Sequence, residues 1–250
     1  MINKLTIELS LPSNIKPNYL GSILHGVIMD YLSTDMAAQL HHYYAYSPLK
    51  QRIYLKNHLI IWEIISMNDN LSGELIEIFS KNETLFLKHY HTHIQLKTFI
   101  VTKFNIKEMM NGFLGKDDLS RFIHIKIQTP MSFKMKNEYL IFLDINRFFR
   151  SIMIQFDSFF DNYKMYDKET LDFIESNVKI VDYKLKSTKF YLEKVKIPSF
   201  TGELSLKVKG PLPFLQLIYF LLEFGELSGV GIKTSLGMGK YSIIERENKK

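Results

Sequence analysis

Histidines are the residues of this chain best suited to proton transfer, because the reference pKa of imidazole, about 6.5, lies near neutral pH. Of the eight present, His25 lies beside the apolar stripe of a predicted first helix, and His41 and His42 end a predicted short helix that follows. Two such groups can serve one reaction as general base and general acid. The structural alternative is a histidine bonded to the main chain or placed at the negative end of a helix dipole.

Three further histidines, His89, His91 and His93, alternate along a predicted strand and would project from one face of it. Three imidazoles on one face could bind zinc. No neighbouring carboxylate or thiolate completes a recognised spacing, however, and a solvated strand face is the commoner arrangement. We therefore predict no metal site.

Glycines are concentrated near the C-terminus, where residues 229–239 hold four of the twelve. They form two Gly-x-Gly pairs, Gly229 with Gly231 and Gly237 with Gly239, separated by five residues. Because glycine accepts positive φ and lets the main chain approach a ligand closely, the pattern suggests a loop shaped for a phosphate-bearing partner.

Two nucleotide-binding motifs can be tested against this segment. A P-loop requires Ser or Thr after its Gly-Lys pair, but Tyr241 follows Lys240. A dinucleotide fingerprint requires a third glycine where Thr234 stands. What remains is a glycine-rich connection between an apolar helix and a final strand, with Lys233 and Lys240 as its cations.

The pattern Gly-apolar-Gly, five residues, Gly-apolar-Gly resembles the C-terminal glycine-rich loop of the CRISPR-associated, repeat-specific endoribonucleases of the repeat-associated mysterious protein superfamily. Enzymes of this family cut precursor CRISPR RNA within its repeats. The resemblance implies metal-independent cleavage by attack of a 2′-hydroxyl, which leaves a 2′,3′-cyclic phosphate (or 3′-phosphate) and a 5′-hydroxyl. It implies no cofactor.

The resemblance also implies roles for particular residues. Family members commonly carry an aromatic residue or histidine on the first helix, a histidine about four turns later, and a basic residue just beyond. His25, His41 and Lys50 occur in that order and at similar spacing. His41 is thereby implied as general acid or base, His25 as its counterpart and Lys50 as a phosphate stabiliser. The alternatives are His42 as a rival of His41 and, more weakly, Tyr44 and Arg52.

Charge is distributed unevenly along the chain, whose net charge is +6. Residues 1–120 contain 11 Lys and Arg against 11 Asp and Glu, whereas residues 121–250 contain 21 against 15. The second half is therefore the predicted polyanion-binding surface, with an ordinary solvated basic surface as the alternative.

Within that half, residues 179–210 carry eight lysines against three acidic residues, and tyrosine and phenylalanine lie among them. Lysines can contact phosphates and aromatic rings can stack on unpaired bases. Arg147 and Arg150 share one face of a predicted helix. The predicted RNA-binding residues are Lys184, Lys186, Lys189, Arg147, Arg150, Lys233, Lys240 and the four loop glycines, Gly229, Gly231, Gly237 and Gly239.

The elements that must position these residues follow from hydrophobic periodicity. The first half predicts a strand at 5–11, a helix at 20–32, a short helix ending near residue 40, strands at 53–56 and 59–65, a helix at 70–80 and strand-like residues at 85–104. The second half predicts a strand at 123–127, helix at 146–177, strands between 178 and 208, a buried helix from 212 that ends near Gly225, and a closing strand at 240–245.

This order is β-α-β-β-α-β twice over. We therefore predict an α+β fold of two tandem ferredoxin-like (RRM-like) domains. The first, residues 1–115, would carry the histidines, and the second, residues 116–250, would carry the glycine-rich loop and the basic surface. Residues 105–120 are the predicted boundary.

Composition restricts the compartment. The chain has no cysteine, so disulfides are excluded and a reducing cytoplasm is the simplest location. The N-terminus alternates polar and apolar residues, and no stretch of about 18 apolar residues occurs. We predict a protein that is neither secreted nor membrane-bound.

The function implied is an endoribonuclease that matures CRISPR RNA. Its partners would be precursor and mature guide RNA, with transient association with a multi-subunit effector complex, and the protein would be a monomer or homodimer. The alternative is a non-cleaving RNA-binding subunit of such a complex. A third class, an interaction scaffold without an RNA role, is opposed by the basic second half.

Overall fold

A computed structural model describes residues 1–17, 20–42, 46–192 and 195–245. The chain divides into two compact units. The first unit contains Met1–Ile106, Tyr191–Val195 and Thr234–Gly237, and the second contains Lys107–Phe190, Lys196–Lys233 and Met238–Lys250. The middle of the glycine-rich segment therefore belongs to the first unit, although both of its flanks belong to the second.

The first unit is a sheet with helices on it. Its strands are β1 (Ile2–Ser10), β2 (Leu49–Lys56), β3 (Leu59–Ser66), β4 (Thr84–Leu87) and β5 (Thr92–Phe104), and its helices are α1 (Leu20–Tyr31), α2 (Thr34–His42) and α3 (Asp69–Lys81). Two short 3₁₀ helices, Lys88–Tyr90 and Thr234–Leu236, also belong to it. The strands pair antiparallel in the order β2-β3-β1-β5-β4.

Sequence periodicity explains these elements. Leu5, Ile7 and Leu9 of β1 alternate into one buried core with the apolar stripe of α1, in which Leu24 and Ile28 are buried. The turn between β2 and β3 has positive φ at both of its residues, 50° at Asn57 and 67° at His58. Two left-handed residues give the twist that a tight antiparallel hairpin requires.

The second unit repeats this plan. Its strands are β6 (Phe122–Met131), β7 (Phe133–Met135), β8 (Glu138–Leu140), β9 (Val178–Leu192), β10 (Val195–Val208) and β11 (Tyr241–Ile244), and its helices are α4 (Ile106–Leu114), α5 (Ile145–Phe159), α6 (Lys168–Asn177) and α7 (Leu212–Ser228). The main sheet has the order β11-β6-β10-β9, and β7 and β8 form a separate hairpin. α5 begins at Asp144, whose Oδ1 accepts from the main-chain N of Arg147 at 2.8 Å.

Both units thus have the β-α-β-β-α-β order, with the last strand beside the first, and the predicted tandem ferredoxin-like fold is confirmed. One helix, α4, was not predicted, because its glycine and the acidic pair that follows it are typical of a linker. Among the described helices, none combines the length and the apolar content that crossing a bilayer requires.

Two local predictions were wrong. Gly225 does not end α7 but lies inside it, where a Cβ would come within 2.3 Å of the Tyr241 hydroxyl; that hydroxyl donates to the Leu222 carbonyl oxygen at 2.6 Å. α7 instead ends at Gly229, with φ of 67°. The second error concerns residues 88–91, which form a 3₁₀ turn and not a strand.

Candidate functional site

α1 and α2 place two of the predicted residues near each other. His25 is half-buried on α1 beside the buried Leu24. α2 is anchored at its start by Ser33, whose Oγ accepts from the main-chain N of Met36 at 3.2 Å and donates to Glu74 Oε1 at 2.8 Å. This anchoring sets the direction of α2 and leaves His41 exposed at its end.

The pKa of His25 shows that these two rings interact. Burial, and then the charge of His41, lower this pKa from 6.5 to about 4, and a hydrogen bond to the main chain of Ser235 opposes both effects. Nδ1 of His25 is buried and has no hydrogen-bond partner in the part of the chain that the structure describes. At neutral pH His25 is therefore an uncharged imidazole with one ring nitrogen unengaged.

His42 is also exposed at the end of α2, and its ring centroid lies 6.3 Å from that of His41. One residue of offset turns a helical side chain by about 100°. His41 is the residue whose charge acts on the pKa of His25. Tyr44, a weaker alternative, lies outside the described residues.

Lys50 lies on the opposite face of the sheet from α1. Gln51 marks the helix-covered face, because its Nε2 donates to the Gly21 carbonyl oxygen at 2.8 Å, and strand alternation then directs Lys50 and Arg52 to the other face. Lys50 is 3% exposed. Burial, and then the charge of Arg52, lower its pKa from 10.5 to about 7. The predicted phosphate stabiliser is thus a buried group.

The 3₁₀ helix Thr234–Leu236 connects the two faces. Lys50 Nζ donates to Thr234 Oγ1 at 3.0 Å, and the main chain of the next residue, Ser235, is the hydrogen-bond partner of His25. Thr234 is itself buried. Neither Thr234 nor Ser235 was predicted, since only the glycines and lysines of this segment had a recognisable pattern.

Arg52 is held by a buried ion pair. Its Nε contacts Glu63 Oε1, directly across from it on β3, and Tyr54 Oη donates to Glu63 Oε2 at 3.3 Å. Burial and the Glu63 charge raise the pKa of Tyr54. Because Arg52 forms an ion pair with Glu63, it stabilises the sheet and is a weaker candidate than Lys50 for stabilising a phosphate.

In the second unit, Gly231 and Gly239 each lie in close contact with another part of the main chain. Gly231 and Gly239 have φ of 89° and 78°, and a Cβ there would lie 2.4 Å from the Ser132 carbonyl oxygen and 2.0 Å from that of Val230. The main-chain N of Gly239 donates to the Pro130 carbonyl oxygen at 2.9 Å. These glycines are therefore needed for close packing of the main chain, and the N–H of Gly239 is not available to a phosphate.

The predicted RNA-binding cations differ in exposure. The exposed side chains are those of Lys184, Lys186, Lys189, Lys233 and Arg150. Lys240 is half-buried and its Nζ donates to the Glu226 carbonyl oxygen at 3.3 Å. Arg147 pairs with Asp144 at 3.4 Å, and the guanidinium of Arg150 lies 5.7 Å from the centre of the Tyr166 ring.

The expected strand of three histidines is wrong. His89 lies in the 3₁₀ helix Lys88–Tyr90, His91 has φ of 48°, and only His93 lies in β5. The left-handed residue turns the chain, so the three rings do not share a face. Among the residues described, no group of three or more His, Asp or Glu side chains is arranged to hold a metal ion.

Comparison with known proteins shows which family this chain resembles. The family model described as CRISPR-associated endoribonuclease Cas6 matches residues 125–241. A Cas6 endoribonuclease from Streptococcus thermophilus is 26% identical over 228 residues, which are 90% of this chain and 91% of that protein. One from Mycobacterium tuberculosis is 25% identical over 245 residues, 96% of this chain and 76% of that protein. The chain is therefore similar to Cas6 endoribonucleases over most of its length.

Solved Cas6 structures share the fold. A Cas6 product complex superimposes with a TM-score of 0.81 at 17% identity, over 98% of this chain and 100% of that one. Thermus thermophilus Cas6 gives a TM-score of 0.74 at 16% identity, over 98% of each chain. The Cas6 family match begins in β6 and ends in β11, so it includes the glycine-rich segment, while the two curated relatives extend the likeness to the half with the histidines.

Proposed function

We propose that this chain is an endoribonuclease that cleaves precursor CRISPR RNA within its repeats and so generates mature guide RNAs. The observation that carries the proposal is the interaction of His25 with His41, next to the segment Thr234–Leu236 that also binds Lys50. Similarity to Cas6 endoribonucleases supports it and favours an enzyme over the alternative, a non-cleaving subunit.

The two histidines are suited to different steps. We assign His25, which is uncharged at neutral pH, as the base that accepts the proton of the attacking 2′-hydroxyl; because its Nδ1 is buried, the ring must turn to present a nitrogen to the RNA. As the 2′-oxygen bonds to phosphorus, the bond from phosphorus to the 5′-oxygen breaks, and we assign His41 as the acid that protonates this oxygen. The products are a 2′,3′-cyclic phosphate and a 5′-hydroxyl. Both proton transfers use side chains alone, so we propose that the reaction needs no metal and no cofactor.

Lys50 has an indirect role in this proposal. Its buried ammonium does not reach the surface, but a charge in a region of low dielectric acts over a longer distance than one in water. We assign its protonated form, present at and below its pKa of about 7, to stabilising the charge that builds on phosphorus, from beneath the segment Thr234–Leu236. Its Thr234 hydrogen bond fixes where that charge lies.

Exposed cations of the second unit would bind the repeat RNA. Lys184, Lys186 and Lys189 lie along β9, and Lys233 adjoins the 3₁₀ helix of the glycine-rich segment. Contacts of this kind give affinity that falls as salt rises, because bound cations displace counterions from the phosphates. We also propose a cytoplasmic monomer or homodimer that associates transiently with a multi-subunit effector complex.

Single-turnover cleavage of repeat RNA in EDTA tests the function. We expect wild-type cleavage to persist, and His25→Ala and His41→Ala each to slow it by about 10²- to 10⁴-fold, the usual contribution of a general acid or base. His42→Ala is the matched control, because it removes an adjacent exposed imidazole. Equal rates for wild type, His25→Ala and His41→Ala would refute the assignment, and RNA that is retained but left intact would identify the non-cleaving subunit.

A further inference from the structure

A groove of about 590 Å³ opens on the first unit, along one face of α1. One wall is a face of α1 that includes Ser22, Gly26 and Asp30, and the other consists of the 3₁₀ helix Lys88–Tyr90 and Tyr191. Pockets for small ligands commonly measure about 300 to 1,000 Å³. The groove is therefore large enough for a single nucleotide.

Aromatic side chains make the groove suitable for a flat ring. Tyr90 is half-buried, and the ring of His89 meets it edge to face with centroids 4.9 Å apart, which fixes its orientation. Tyr191 also lines the groove and is 37% exposed. The buried Val27 contributes apolar surface to the lining. Tyrosine faces of this kind stack on unpaired bases without requiring a particular sequence.

The charges favour a base over a phosphate as the occupant. The cation of Lys88 lies 2.8 Å from Asp30 Oδ1, so the groove holds a neutral pair and not a cluster of cations. A carboxylate repels a phosphate, but it accepts hydrogen bonds from the N–H groups on a base edge. Lys88 remains 71% exposed at the rim, where the sugar-phosphate backbone would pass.

The groove adjoins the proposed active site along α1. Ser22 lies three residues before His25, which places it one turn away and about 60° around the helix axis. Gly26 directly follows His25. An RNA strand whose phosphate lies at His25 therefore passes close to the groove.

We propose that this groove binds one unpaired base of the repeat RNA, close to the cleaved bond, by stacking it against Tyr90 and Tyr191 with Asp30 as hydrogen-bond acceptor. The inference rests on the proposed function, because the position of the base is defined relative to cleavage at His25. It adds a base subsite that holds the strand in place for cleavage.

Gly26 allows the groove to be filled without disturbing the fold. A Cβ built on it meets no atom within 4 Å, so Gly26→Leu projects into open space. Gly73, inside α3, is the matched control: it is another exposed helical glycine whose Cβ would meet nothing, and it does not line the groove. Tyr191→Ala supplies a second variant that removes a stacking surface and adds no bulk.

The experiment compares repeat RNAs in which each unpaired position near the scissile bond is made abasic in turn. We expect one abasic position to weaken wild-type binding by about 5- to 100-fold, the usual effect of losing one stacked base, and Gly26→Leu and Tyr191→Ala to weaken the intact RNA similarly. The abasic position should cause no further loss of affinity in Gly26→Leu or Tyr191→Ala, because the RNA change and the protein change remove the same interaction. Gly73→Leu should bind and cleave as wild type does.

The result separates this inference from the proposed function. Normal cleavage and binding by Gly26→Leu and Tyr191→Ala, with no sensitive abasic position, would overturn the base subsite and leave the endoribonuclease intact. If the wild-type protein cleaves no repeat RNA, the proposed function is wrong. The base subsite is then tested by binding of a short single-stranded RNA, and equal affinity for wild type and Tyr191→Ala would overturn it. The fluorescence of Trp62 verifies that each variant is folded.

Discussion

The protonation of Lys50 gives a quantitative test of how this site is built. The side chain is 3% exposed, and its Nζ donates to Thr234 Oγ1 at 3.0 Å. Its pKa is about 7 in the folded protein, because of burial and then the charge of Arg52, against 10.5 as its ordinary value. We predict that Lys50→Met changes the pH dependence of the free energy of unfolding.

The sign and size follow from proton linkage. Between pH 7 and 10.5 the unfolded chain binds a proton at Lys50 that the folded chain does not, so stability rises with pH through this window and falls as pH drops towards 7. One proton corresponds to about 1.4 kcal/mol per pH unit. From pH 7.5 to 9.5 the wild-type protein should gain roughly 2 to 3 kcal/mol that Lys50→Met does not.

Urea unfolding at several pH values measures this difference. Trp62 is the single tryptophan of the chain, lies in the first unit, and donates from Nε1 to Gln51 Oε1 at 2.8 Å, so its fluorescence reports unfolding of the unit that contains Lys50. Lys56→Met, at the exposed end of β2, is the control and should keep the wild-type slope. Parallel pH curves for wild type and Lys50→Met would show that the lysine is not buried as described.

Two other predictions concern stability and the histidine pair. Gly225→Ala should destabilise the second unit by about 1 to 3 kcal/mol in urea titrations, because its methyl group meets the Tyr241 hydroxyl, whereas Gly73→Ala should stabilise the first by up to about 1 kcal/mol. His41→Asn should raise the pKa of His25 above its value of about 4 in an NMR titration, because one of its two lowering causes is removed, but leave it below 6.5, because burial is the larger cause. An unchanged His25 titration would contradict their interaction.

The fold was predictable because local patterns and tertiary packing agree. The alternation of β1 and the stripe of α1 are buried as their periods require, and the hairpin turn at Asn57 was placed correctly. Predictions failed where long-range contacts decide the conformation. Position 225 requires glycine because Tyr241, which is remote in sequence, occupies the space where a side chain would lie. The residues around Gly225 in the sequence do not indicate this contact.

The candidate site was predictable in part. The family resemblance implied that His25 and His41 act as a pair, and the structure gives them an electrostatic interaction. The alternation of β2 could have placed Lys50 on the face away from the helices, since Leu49 and Gln51 are on the helix-covered face, but it does not predict that Lys50 is buried there. The contact of Thr234 with Lys50 could not have been predicted, because a single hydroxyl in a glycine-rich segment forms no recognisable sequence pattern.

The glycine-rich segment combines two roles that the sequence does not separate. Its glycine pairs satisfy main-chain and packing requirements: Gly239 lies where any side chain would collide with Val230, and its N–H is bonded within the second unit. Its middle supplies the contacts to Lys50 and His25 from Thr234 and Ser235. Because so few residues separate these contacts from either pair, the conformation of the glycines limits where Thr234 and Ser235 can lie. A change at Gly239 should therefore affect cleavage by moving Thr234 and Ser235, which contact Lys50 and His25, even though Gly239 itself takes no part in the reaction.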